Sequence, residues 1–100
     1  MTLHGKAYRV LGSGTFTVTT AGTPVQLTAG ACQEVLLEAD VDNGNTILYF
    51  GDANIDALSD PPRGNILFPS NRERVNCKNA NEIYVDSTVN GGKGTYTLYG

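Results

Sequence analysis

Tryptophan is absent from this chain, histidine and methionine occur once each, cysteine twice, and only 17% of its 100 residues are charged. The lone histidine, His4, and the lack of any G-x-S-x-G turn leave no general base beside Cys32 or Cys77 and no nucleophile elbow, so a Ser- or Cys-based hydrolase is not expected. Zinc needs three or four soft ligands at short spacings, which His4, Cys32 and Cys77 do not have. Two cysteines cannot staple a secreted scaffold; they read as two free, mostly buried thiols, and the sequence leaves open whether they meet. Basic residues are also scarce. Seven Lys and Arg stand against ten Asp and Glu, a formal net charge of −3, and only Arg72 and Arg74 lie close together. With a pI near 4.8, nucleic acid and anionic membrane are not expected partners. No run approaches the ~18 to 20 apolar residues of a membrane span, and MTLHGKAYRVLGSG has no signal-peptide core. The expected place of synthesis is therefore the cytoplasm.

What is plentiful is glycine, at 12 residues, and tyrosine, at 5, among many Thr and Val. That is the composition of short strands and tight turns. At this length, with 40% hydrophobic residues, one core is the ceiling, so residues 1–100 read as a single domain.

The strongest local signal is Asn43-Gly44, between CQEVLLEAD and TILYFGD. It predicts a β-hairpin with Leu37 opposite Phe50, Ala39 opposite Leu48 and Val41 opposite Thr46. Around it, Lys6–Leu11 and Thr15–Thr20 suggest a first hairpin across Gly12-Ser13-Gly14, and Val25–Thr28 a brief strand. The segment 52–64, DANIDALSDPPRG, reads as a long loop with one helical turn, because Pro61-Pro62 forbids a longer helix. Further strands are expected at Gly64–Phe68, Arg72–Cys77, Ile83–Val85 and Thr95–Tyr99, with 89–94 as a wide glycine loop. Arg72–Cys77 has the charge of an edge strand, with Val75 and Cys77 facing inward. Eight or nine short strands at this spacing predict an all-β fold: a single-domain antiparallel β-sandwich, jelly-roll-like as the first choice and a Greek-key sandwich of another order as the second, since turns alone do not give strand order.

No constellation completes a chemistry. Asp52-x-Asn54-x-Asp56 starts like a calcium loop, yet Ala57 stands where the glycine belongs and Arg63 where the bidentate glutamate belongs. Gly91-Gly92-Lys93-Gly94 lacks the spacing and the Ser or Thr of a phosphate loop. Glu34, Glu38 and Asp40 share a strand face, which is what a wet face presents in any case. The expectation is a nonenzyme without cofactor or metal. On the same face as those acids, the hairpin register places Leu36, Ile47 and Tyr49, more apolar surface than solvent favours. Either another sheet or another chain must cover them, which makes Leu36, Ile47 and Tyr49 the candidate partner contacts.

From Gly22 to Gly100 the chain carries Gly22-Thr23-Pro24-x-Gln26-Leu27, Cys32-x-Glu34-Val35-x-Leu37, the Asn-Gly turn, Ile47-x-Tyr49-Phe50-Gly51, Gly64-x-x-Leu67-x-Pro69, Ile83-Tyr84-Val85 and a glycine-rich stretch before a tyrosine-containing last strand. In this it resembles small β-rich virion structural proteins of tailed bacteriophages. The likeness rests on turn and core residues, residues 1–21 have no counterpart in it, and Ser70-Asn71-Arg72 departs from the expected Gly and acid after Pro69. The resemblance implies a capsid decoration (cement) protein that stabilises the particle by protein–protein contacts. It also implies localisation in the virion after synthesis in the host cytoplasm, other capsid or tail subunits as partners, and homo-oligomeric assembly. A tail or baseplate accessory protein is the nearest alternative. A small carbohydrate-binding β-sandwich, presenting Tyr8, Tyr49, Tyr96 or Tyr99 to a host surface, is the alternative from another class.

Overall fold

Side-chain alternation builds the strands of the computed structural model, which describes residues 9–44 and 46–100. In β1 (Val10–Val18), Phe16 and Val18 point into the core while Ser13, Thr15 and Thr17 stay exposed. β2 (Val25–Gln26) is short; β3 (Glu34–Ala39) buries Val35, Leu37 and Ala39, and β4 (Leu48–Gly51) buries Leu48 and Phe50. β5 (Asn65–Leu67), β6 (Arg72–Asn76), β7 (Tyr84–Ser87) and β8 (Gly92–Tyr99) complete the set.

Two four-stranded sheets result, ordered β1-β8-β3-β6 and β2-β7-β4-β5, with every pairing antiparallel. Eight strands in that order make a jelly-roll sandwich. The core between the sheets is shared by Phe16, Val18, Leu37, Leu48, Leu67 and Val85, among others. No helix among the described residues is long and apolar enough to cross a membrane.

The central hairpin is not formed. β3 pairs with β8 and β6, placing Leu37 opposite Tyr96 and Glu73; β4 pairs with β7 and β5, placing Phe50 opposite Val85 and Asn65. The segment between them arches from one sheet to the other. Val41–Asn43 is a 3-10 turn whose first N–H groups are capped by Asp40, the Asp42 N–H donating to Asp40 Oδ1 at 2.8 Å. Asn43 does not take the positive φ of a type I′ turn. Its amide instead clamps the Lys93 backbone, Nδ2 donating to the carbonyl at 2.8 Å and Oδ1 accepting the N–H at 3.1 Å. The predicted inward residues are nonetheless inward, because Leu37 and Phe50 meet through the core rather than along a ladder.

Two glycine stretches read as breaks are strand. β1 runs unbroken through Gly12 and Gly14, and a Cβ at Gly14 would lie 2.6 Å from the Tyr96 ring. β8 starts at Gly92, and a Cβ on Gly94 would strike the Glu38 carbonyl and lie 2.6 Å from the Phe16 ring. Close approach requires these glycines, and what looks like a mobile loop is the entry of the central strand. The Lys6–Tyr8 part of the predicted first strand lies outside the described residues. The 52–64 segment has no helical turn; Asp56 and Arg63 form a β-bridge, their N–H and C=O groups exchanging bonds of 3.0 and 2.9 Å.

Candidate interaction surface

The three residues predicted to share an outer face do not share one. Leu36 lies on the outer side of the β1-β8-β3-β6 sheet, between Arg74 of β6 and Thr97 of β8 in register, and is 6% exposed. Salt bridges flank it, Arg74 to Glu34 at 2.5 Å and Arg72 to Glu38 at 3.7 Å, and Arg74 also lies over the Tyr99 ring at 5.6 Å. The bond to Glu34 raises the pKa of the Arg74 guanidinium, which stays charged. The long side chains of neighbouring strands thus cover Leu36 with their stems while their charged ends reach water.

Tyr49 belongs to the other sheet and is buried by the chain itself. Its Cβ and the Ile55 side chain crowd Gly64, which has a φ of +130. Ile47, just before β4, is half-buried, and its N–H donates to Thr88 Oγ1 at 3.2 Å. The cover that the sequence assigned to a second sheet or a second chain is, for Leu36 and Tyr49, the domain's own side chains and the 52–64 loop.

The residue that fastens this loop is Asp86, fully buried on β7 beside Tyr49 in register. Its Oδ2 accepts the Ala57 N–H at 2.8 Å, and Oδ1 accepts the Gly22 N–H at 2.9 Å and the Ser87 N–H at 2.8 Å. One carboxylate therefore holds the loop and the β1–β2 turn against the outer face of the sheet. Three backbone donors occupy it, so it is a clamp and not a free base. The sequence gives no sign of this, because alternation with Ile83 and Val85 assigns Asp86 to a wet face.

Several other acids are similarly engaged. Asp52 accepts the Asn54 N–H and Asp56 the Leu58 N–H, both at 2.9 Å, while Arg63 Nε donates to the Asn54 carbonyl at 3.1 Å. These are turn-forming bonds within the segment that began like a calcium loop. Glu34 and Glu38 are in salt bridges and Asp40 caps a turn.

Exposed apolar side chains concentrate at two edges. Val10 and Leu11 open β1, 64% and 50% exposed; Ile66 on β5 and Phe68 just beyond it are 45% and 50% exposed. Val41, Leu58 and Val89 are the other exposed large apolar residues among the described ones, and all three stand in connections. β1 and β5 terminate their respective sheets, and β1 lies across from β2 and β7, so β1 and β5 are on opposite sides of the sandwich. The β1 segment VLGSGTFTV has no charge to discourage strand addition. β6, the other edge of that sheet, carries Arg72, Glu73 and Arg74.

Cys32 and Cys77 are free thiols, half-buried against the core, with sulfurs 3.6 Å apart. Burial first, and then the hydrogen bond with Cys32, pushes the Cys77 thiol up to about 12. Cys77 also borders a cleft of about 160 Å³ between β6 and β4, lined by Phe50, Gly51, Asn65 and Val75 among others. His4 lies outside the described residues.

Compared with known proteins, the chain matches no family model, no curated protein and no solved structure.

Proposed function

We propose that the chain is a noncatalytic virion structural subunit of a tailed bacteriophage, a capsid decoration protein working in many copies through protein–protein contacts. The observation that carries this reading is the placement of exposed apolar side chains, Val10 and Leu11 against Ile66 and Phe68, on edge strands at opposite sides of one sandwich. A subunit with neighbours on both sides needs such a pair of surfaces. Burying them removes apolar area from water at roughly 25 cal/mol per Å², and many weak contacts on a lattice add by avidity. Jelly rolls build viral capsid domains, though also lectins and cupins, so the fold supports the reading only by analogy. A tail or baseplate accessory would use the same edges. The carbohydrate-binding alternative has less support, because it needs exposed aromatic platforms. Tyr49 and Tyr96 are buried, Tyr99 is half-buried beneath Arg74, and Tyr8 lies outside the described residues.

The test uses purified particles and the Phe68→Glu variant. Mass spectrometry should find the parent chain in virions, electron microscopy should place it on the capsid or the tail, and Phe68→Glu should fold normally yet be retained at least roughly tenfold less. Absence of the parent chain from virions sinks the proposal; retention equal to the parent removes the β5 edge from the interface.

A further inference from the structure

The two thiols sit where adjacent strands converge. Just beyond the paired part of β3 and β6, the Cys32 N–H donates to the Lys78 carbonyl at 3.1 Å and the Cys77 N–H to the Gln33 carbonyl at 3.3 Å. The backbones are thereby held one ladder spacing apart, and both side chains pack against the core. A disulfide needs the sulfurs at about 2.05 Å, with Cβ atoms at neighbouring-strand distances. The sulfurs already stand 3.6 Å apart, so rotation of the two side chains brings them toward that distance. Sulfur access comes from the cleft on which Cys77 borders.

We propose that Cys32 and Cys77 form a reversible intramolecular disulfide that fastens edge strand β6 to β3 when the chain meets a disulfide oxidant. The step balances as thiol–disulfide exchange. One protein thiol, deprotonated to solvent, attacks a small-molecule disulfide and releases one equivalent of its thiolate; the second protein thiol, losing its proton in turn, attacks the mixed disulfide and releases the other. The two protein sulfurs are oxidised, the small disulfide is reduced to two thiols, and the two protons end on those thiols. The partners are fixed by proximity, since no other cysteine exists.

The consequence falls on an edge. Among the described residues β6 has β3 as its one strand partner, and it is exposed along most of its length. The covalent link closes a loop that contains β3, β4, β5 and β6, and loops of that size lose much of their unfolded-state freedom when cross-linked. It leaves the apolar edges at β1 and β5 unchanged, so the lock does not depend on what the chain assembles with.

The experiment treats the folded wild-type chain with oxidised glutathione at neutral pH and reads intact mass without reductant. The expected product is a monomer lighter by two hydrogens, with no residual thiol open to iodoacetamide and a Tm raised on the order of 10 °C. Dithiothreitol should reverse both changes. Cys32→Ala and Cys77→Ala should each lose the Tm rise and instead carry a glutathione adduct on the remaining sulfur. The wild-type measurement is decisive even if a variant folds poorly. Unchanged mass with both thiols still alkylated overturns the proposal, as do stable glutathione adducts or disulfide-linked dimers of the wild type.

Discussion

Removing the Asp86 carboxylate would strand the N–H groups of Gly22, Ala57 and Ser87 without their acceptor, two of them on segments that no other side chain among the described residues hydrogen-bonds to β7. Each buried donor left unpaired costs ~1 to 3 kcal/mol. Asp86→Ala should therefore lose roughly 3 kcal/mol or more, a large share of the ~5 to 15 kcal/mol that a domain possesses. Asp86→Asn retains one acceptor oxygen and should lose less. Urea denaturation gives the magnitude, and limited proteolysis gives the place: cleavage in 52–64 should quicken in both variants, while a loop as resistant as the parent's would mean Asp86 does not hold it. At this scale the sequence was least informative. Nothing local to Asp86 tells that a segment 29 positions earlier will cover it, and nothing local to Cys32 or Cys77 tells that they meet. Leu36 misled for the same reason, since its cover is supplied by Arg74 and Thr97 from strands that only the completed topology places beside it.

Elements were more legible, because burial imposes alternation wherever a strand has one inner face. Val35, Leu37, Leu48 and Phe50 are inward as their spacing requires, and β6 is the charged edge its composition suggests. What failed was the reading of turn chemistry. Asn-Gly suits a hairpin, yet the same two residues serve a capped 3-10 turn once the asparagine amide finds the Lys93 backbone. Glycine was ambiguous in the same way, marking flexibility in one setting and close packing in another. Gly94 and Gly12 separate the two uses. Gly94→Ala puts a methyl group against the Glu38 carbonyl and the Phe16 ring and should cost ~1 to 3 kcal/mol, the price of overpacking. Gly12→Ala, in β1 with nothing within 4 Å of the added atom, should stay within ~0.5 kcal/mol of the parent. Paired thermal melts measure the contrast, and equal losses would contradict the assignment of Gly94 to a tightly packed central strand.

At the scale of the molecule, the first and last described strands close on each other. β1 and β8 pair along Val18↔Gly92 to Val10↔Tyr99, and Arg9 and Gly100 exchange N–H···O bonds of 2.8 and 2.9 Å. A sandwich was foreseeable from strand number and turn spacing; the order β1-β8-β3-β6 depends on partners that lie far apart in sequence and leave no mark on either strand alone. That topology sets folding speed, because strands far apart in sequence must meet before their pairing stabilises either. β8 lies between β1 and β3, so the sheet that holds both is completed by a strand distant from each in sequence. A circular permutant tests the point: Gly100 joined to Arg9 through a short Gly/Ser linker, and new ends opened between the exposed Asn90 and Gly91. β8 and β1 become sequence neighbours, β3 moves closer to β8, and the pairings within β2-β7-β4-β5 keep their separations. The permutant should keep cooperative unfolding and the parent's circular dichroism, while stopped-flow refolding should accelerate on the order of tenfold. An unchanged rate would mean that β1–β8 pairing forms after the barrier, with the nucleus in the strands whose separations the permutation leaves alone.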